Sequence, residues 1–362
     1  MPQTFDPTRR KLVATLSLAP ALTLLPACNT VSPLLGGACS SPPADSDGVT
    51  WMPDVGHPVF FGVHDITPAD GAPRPMLIYY PAADFRAPPV LTPCVGRFPL
   101  VMFLHGYPPS TIPQAGYYRR WWQIPSALAR CGYVVAVPDL TYPPFYVPSD
   151  ADVAAVMSDA DWVRNHWSGA GSLDQRLTST AVAGHSDGAM LSAAVAAAHP
   201  EIAALVSLGG PYSQQVVNEA LPPRVACPSF FMTDNVGDSE SIDTGTNSIW
   251  GRLKQPRYKA VYSGQHFDYL PATDSGTAPR GPCPHIGAVA ADLVALFISA
   301  NMSSLTQVPV DLSVPPIHRT PQQDTYAGGL FDSFDKINHY PGCRVSLQWR
   351  LNDLSGSRQI GL

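Results

Sequence analysis

The sequence predicts an α/β domain built on a mostly parallel sheet with helices on both faces. Three observations predict it. Short apolar runs alternate with segments of helical character from residue 59 to residue 299. Several of these runs are apolar without interruption, as strands covered on both faces are; Pro-Leu-Val-Met-Phe-Leu at residues 99–104 is the clearest. One run, residues 179–183, leads straight into Gly184-His185-Ser186-Asp187-Gly188 and then into an alanine-rich stretch, which reads as strand, tight turn and helix.

The elements follow in order. Residues 59–63 and 76–80 are early strands, and 99–104 is the first fully buried one. Residues 118–130 have helical character, 133–137 form the next strand and 152–167 the next helix. After the strand at 179–183 comes a small-residue helix at 189–199. Strands at 204–208, 229–232 and 260–262 complete the sheet, and 286–299 is a strongly apolar last helix. From residue 303 the alternation stops. The tail is rich in Pro, Asp and Ser and has one strand-like stretch at 344–349; it reads as an extension and not as a second enzyme. The organisation expected is a targeting segment at 1–27, a Pro/Ser/Gly-rich linker at 28–50, a catalytic domain at 51–302 and an extension at 303–362.

Composition sets limits. The 362 residues include 45% hydrophobic and 14% charged, enough to bury a sizeable core and too apolar for disorder. Forty prolines favour rigid loops over long helices. The net charge is −6, and the first 27 residues carry +2, so the rest carries −8. With no basic stripe beyond the extreme N-terminus, nucleic-acid binding has no support.

Arg9, Arg10 and Lys11 precede a short apolar run at 12–25 that Pro20 interrupts. The run is shorter than the roughly 20 residues a membrane span needs, and it reads as an export signal. Leu25-Pro26-Ala27-Cys28 resembles a lipobox, which would lipidate Cys28 and attach the mature chain to a membrane; ordinary cleavage nearby is the alternative. The expected location is the periplasm, the outer membrane or the outside of the cell. Setting Cys28 aside, six cysteines remain, an even number that suits an oxidising compartment, with Cys283–Cys343 the pair guessed. None has zinc-ligand spacing, so no metal is expected.

The chemistry centres on Ser186. A G-x-S-x-G pentapeptide alone is a weak signal, but between a strand and a helix it matches a nucleophile elbow. A serine hydroxyl needs a base. Of ten histidines, His266 lies just after the last strand and before the last helix, where this architecture delivers one to the sheet edge. His285 is the rival, and His185 is set aside as pointing elsewhere. The base in turn needs a carboxylate, in chain order Ser, acid, His. Asp238 is preferred and Asp234 is the alternative, both following the strand at 229–232. The oxyanion hole is assigned to the backbone N–H groups of Tyr107 and Asp187. Tyr107 and Tyr212 are candidate substrate contacts. Trp121, Trp122, Tyr142 and Tyr146 lie where they could line a cleft. The spacing between Ser186 and His266 leaves no room for a large lid domain.

His105-Gly106-Tyr107, Trp121-Trp122, Gly-Tyr-Val-Val-Ala-Val-Pro-Asp at 132–139, the serine elbow and Gly264-Gln265-His266 together resemble the α/β-hydrolase superfamily, in particular the lidless bacterial cutinases and polyester hydrolases. Residues 264–297 also resemble chlorophyllase-type hydrolases. The resemblance runs over about 98–299. It implies a serine esterase without a cofactor, acting on a small or polymeric ester. Asp187 departs from the hydrophobic or amide residue found after the polyesterase nucleophile, and the 234–238 segment is about one residue longer than in that group. The competing functions are a peptidase or amidase on the same fold and a surface lipoprotein that binds without turnover.

Overall fold

The computed structural model describes residues 60–82, 98–130, 133–212, 224–234, 249–254, 256–262, 264–270, 286–302, 345–351 and 354–360. Ten strands make one sheet in the order β1-β2-β4-β3-β5-β6-β7-β8-β9-β10. They are β1 (Phe60–Ile66), β2 (Met76–Ala82), β3 (Leu100–Leu104), β4 (Val134–Pro138), β5 (Thr180–His185), β6 (Ala204–Leu208), β7 (Ser229–Asp234), β8 (Arg257–Tyr262), β9 (Val345–Leu351) and β10 (Leu354–Ile360). From β4 through β3, β5, β6 and β7 to β8 every neighbouring pair is parallel. β1 and β2 are antiparallel at one side, and β9 and β10 at the other.

Alternation along the strands sorts the core into two layers. In β3, Val101 and Phe103 join one cluster, while Leu100, Met102 and Leu104 join the other. The first layer is covered by α1 (Gln123–Arg130) and α5 (Ile286–Met302), through Ile124, Leu128, Val289 and Val294. The second is covered by α2 (Asp150–Asn165) and α3 (Asp187–Ala198), through Val156, Val163, Met190 and Val195. A short α4 (Ile249–Arg252) precedes β8. Both faces of β3–β6 are therefore dry, which explains why their sequences are continuously apolar.

Three elements differ from the sequence reading. The helix expected at 118–130 is two pieces, a 3₁₀ turn at Tyr117–Arg120 and then α1. Trp121 between them has φ −89° and ψ 87°, outside the helical region, and its buried ring lies 5.5 Å from Phe103. Pro125 sits in the first turn of α1, where a missing N–H costs nothing. α2 begins two residues earlier than expected because Ser149 and Asp152 form a reciprocal capping box. The strand-like stretch at 344–349 becomes β9, which pairs with β8, and β10 adds a further strand, so this part of the tail extends the sheet.

Cys227 is buried and free, and burial pushes its thiol up to about 12. It takes no part in a disulfide. Cys28, Cys283 and Cys343 lie outside the described residues. Among the described residues no helix is long and apolar enough to cross a membrane.

Candidate active site

The parallel strands all point their C-terminal ends to one edge of the sheet, and the candidate residues converge there. β5 ends at His185 and α3 starts at Asp187, so Ser186 alone makes the turn. Its φ of 55° and ψ of −125° are a conformation that a non-glycine residue holds only when its surroundings enforce it. They do so on both sides. Ser186 N–H donates to the Leu208 carbonyl at 2.9 Å, pinning the turn to β6. A Cβ at Gly184 would lie 2.3 Å from the Gly188 carbonyl oxygen, and one at Gly188 would lie 2.1 Å from that of Leu104. Only glycine at both places lets strand, turn and helix close this tightly.

The serine side chain is 6% exposed. Its Oγ lies 2.9 Å from His266 Nε2, with the hydroxyl placed to donate to the ring. His266 belongs to the turn after β8. Gln265 N–H donates to Asp268 Oδ2 at 2.8 Å, and Asp268 N–H donates back to the Gln265 carbonyl at 2.9 Å. Tyr262 at the end of β8 donates its hydroxyl to the same carbonyl at 2.9 Å. The turn is thus fastened to the strand it leaves. His285, the rival histidine, lies outside the described residues.

The two oxyanion candidates flank Ser186. Asp187 is the first residue of α3, so its N–H has no acceptor within the helix. On the other side, a Cβ on Gly106 would be 2.5 Å from Ser186 Cβ, so the Gly106–Tyr107 backbone runs against the serine with no room for any side chain at 106. Tyr107 is half-buried and packs on the α2/α3 layer.

His105 holds this loop in place, a role the sequence reading did not assign. It is fully buried; its Nδ1–H donates to the Gly106 carbonyl at 2.8 Å and its Nε2 accepts from Leu140 N–H at 3.0 Å. A proton on Nε2 would face the Leu140 N–H. Burial holds this ring down to about 4, far below the ordinary histidine value.

The acid side of the site is partly described. Asp234 ends β7 at the same edge, is 9% exposed, and is close enough to the buried Tyr262 hydroxyl to help push it up, behind burial and Tyr269. Asp238 lies outside the described residues. Tyr212 is half-buried, its hydroxyl 2.7 Å from Ser207 Oγ and 3.2 Å from the Ala189 carbonyl, so its polar end is built into the wall. Tyr142 and Tyr146 are buried with rings 4.7 Å apart, and Tyr142 stands edge-on 5.9 Å from His105. These rings back the loop that holds Gly106 and Tyr107. Trp121 is buried, and Trp122 is exposed.

His105 makes an acid-sensitivity prediction. The unfolded chain protonates this histidine near pH 6.5 and the folded chain near 4, so between those values the unfolded state binds more protons and stability falls as pH falls. A difference of that size corresponds to about 3 kcal/mol. Burial also holds His185 well below the ordinary histidine value, which adds in the same direction. Asp159, which burial holds up to about 6, works in the opposite direction over part of the window. The urea midpoint is expected to drop between pH 7 and pH 5, and His105→Gln is expected to flatten that drop. A midpoint that stays level or rises on acidification contradicts this account.

Residues 99–248 match the family model described as alpha/beta hydrolase fold, a stretch that runs from the start of β3 past Ser186 and β7. No curated protein matches the chain closely enough to count as a relative. The strand order, the strained serine turn between β5 and α3 and this match identify the chain as a protein of the α/β-hydrolase fold.

Proposed function

We propose that the protein is a serine esterase that cleaves carboxylic esters through an acyl-enzyme. The observation that carries the reading is the 2.9 Å contact between His266 Nε2 and Ser186 Oγ at a backbone turn held in a strained conformation. In this reading Ser186 Oγ adds to the ester carbonyl carbon as its proton passes to His266 Nε2. The carbonyl oxygen becomes an oxyanion against the N–H groups of Tyr107 and Asp187. The imidazolium then protonates the departing alcohol, and the C–O bond to it breaks. Water enters next, gives a proton to His266, and adds to the acyl carbon. Collapse releases the carboxylic acid and returns the proton to Ser186. A carboxylate from the end of β7, Asp238 or Asp234, holds Nδ1–H and stabilises the charged ring.

The substrate class follows from charge. Asp187 stands next to the nucleophile, half-buried; burial chiefly keeps the Tyr142 and Tyr146 hydroxyls un-ionised, and the Asp187 carboxylate adds to this. Arg119 forks onto Asp65 at 2.5 and 2.8 Å, so its charge is already matched. A free carboxylate on the acyl or alcohol group would be repelled at short range. Neutral short-chain p-nitrophenyl esters are therefore expected to have a higher kcat/KM than matched esters carrying a free carboxylate, with the gap widening at low salt. A higher kcat/KM for the carboxylated ester at low salt contradicts the substrate assignment. The reaction type is tested separately, by whether a fluorophosphonate labels Ser186.

A further inference from the structure

We infer that His185 is a positioning residue for the base, clamping the His266 turn to the strand that carries the nucleophile. The inference rests on the Ser186–His266 reading above and concerns a residue which that mechanism does not use.

Alternation along β5 gives His185 its direction. Ala181 and Ala183 point into the layer under α1 and α5, and His185 continues that row at the strand end. Its ring is fully buried. Nε2 lies 2.9 Å from the His266 carbonyl oxygen, and since a carbonyl can only accept, Nε2–H donates. Nδ1 is then the unprotonated nitrogen, and this buried atom has no hydrogen-bond partner. It faces the Gly106 backbone, where a Cβ would come within 3.2 Å of it. A proton on Nδ1 would be a buried donor with nothing to receive it, so one tautomer is selected. Burial also keeps the ring neutral.

The ring has a second contact with the base. Its centroid is 4.5 Å from that of His266, at 36°, and 4.7 Å from that of Trp121, at 38°. Phe267 stands edge-on to His266 at 4.7 Å and lies 6.2 Å from His185 as well. The base therefore packs against the His185 and Phe267 rings with its main-chain carbonyl tied to β5. Without the tie, the turn at 264–270 is fastened to β8 through Tyr262 but loses its hydrogen bond to the strand that presents Ser186. A displacement of even 1 Å between base and nucleophile costs on the order of 100-fold in rate.

The test compares two replacements of His185. A glutamine side chain there carries an amide nitrogen at the reach of imidazole Nε2, whereas a phenyl ring keeps the packing and loses the donor. His185→Phe is expected to lower kcat on p-nitrophenyl acetate by about 10-fold to 100-fold with KM little changed. His185→Gln is expected to recover kcat to within about 5-fold of the wild type, because the lost element is the hydrogen bond. A folded His185→Phe protein with wild-type kcat overturns the proposal, and so does a His185→Gln protein as impaired as His185→Phe. If His185→Phe does not fold, imidazole ¹⁵N and ¹³C shifts of the wild-type protein decide. The Nε2–H tautomer at His185 supports the clamp, and the Nδ1–H tautomer overturns it. The shifts need no substrate, so they also separate this proposal from its parent. Failure of Ser186 to take a fluorophosphonate counts against the esterase reading, while the tautomer is read from the same wild-type protein regardless.

Discussion

Ser186→Ala is expected to fold as the wild type does and to lose ester turnover by about 10⁴-fold or more. Alanine removes one oxygen from a side chain that is already 6% exposed and leaves the strained turn in place, since the backbone N–H at 186 still reaches the Leu208 carbonyl and both glycines still let the elbow close. Stability is expected to change little. His266→Ala is expected to match it, because nucleophile and base act as a unit and removing either leaves only binding and the oxyanion donors. The double variant is expected to be no worse than either single one. The measurement is kcat/KM on a neutral p-nitrophenyl ester together with fluorophosphonate labelling. Labelling of another residue with Ser186 untouched contradicts the assignment. A His266→Ala protein with near-normal activity, together with an inactive His285→Ala protein, would move the base to His285.

The parts of this picture that were legible in the sequence are those set by local pattern. The parallel strands are recognisable because each is buried on both faces, and the elbow because strand, turn and helix occupy consecutive residues. His266 could be chosen by its place between β8 and α5. What escaped depends on contacts far apart in the chain. Local sequence gives His185 no partner, yet its ring bonds the His266 carbonyl 81 positions away. The signal was present in the parity of β5, since residues 181, 183 and 185 share a face, but what lies under that face is fixed only by folding. His105 likewise meets Leu140 across 35 residues. Trp121 breaks the first helix for a tertiary reason, burial against Phe103, that overrides local propensity. β10 has no sequence signal, since Leu-Ser-Gly-Ser-Arg-Gln-Ile has neither alternation nor β-branched enrichment before its last residue, and its strand form comes from pairing with β9.

Asp238→Asn is expected to lower turnover by about 10⁴-fold while the protein stays folded, and Asp234→Asn to cost far less. The reason is chemical. For Nε2 to accept from Ser186, the His266 proton must sit on Nδ1, and that N–H calls for an anionic acceptor which also steadies the ring when it becomes charged. An amide of the same shape can turn its NH₂ to the ring and favour the other tautomer, in which Nε2 carries the proton and can no longer take one. Both candidates follow from the order of the fold, since β7 precedes β8 and its C-terminal end lies at the edge where Ser186 and His266 meet. Their positions differ. Asp234 is the last residue of β7, in register with Tyr262 and near its buried hydroxyl, and that hydroxyl anchors the carbonyl of Gln265 beside the base. In the assignment to Asp238, Asp234 serves the Tyr262 end of the turn and its replacement perturbs the base only indirectly. The opposite ranking, with Asp234→Asn inactive and Asp238→Asn near wild type, would place the carboxylate at the strand end itself. A single pair of kcat/KM values on a neutral ester, with folding checked by circular dichroism, separates the two.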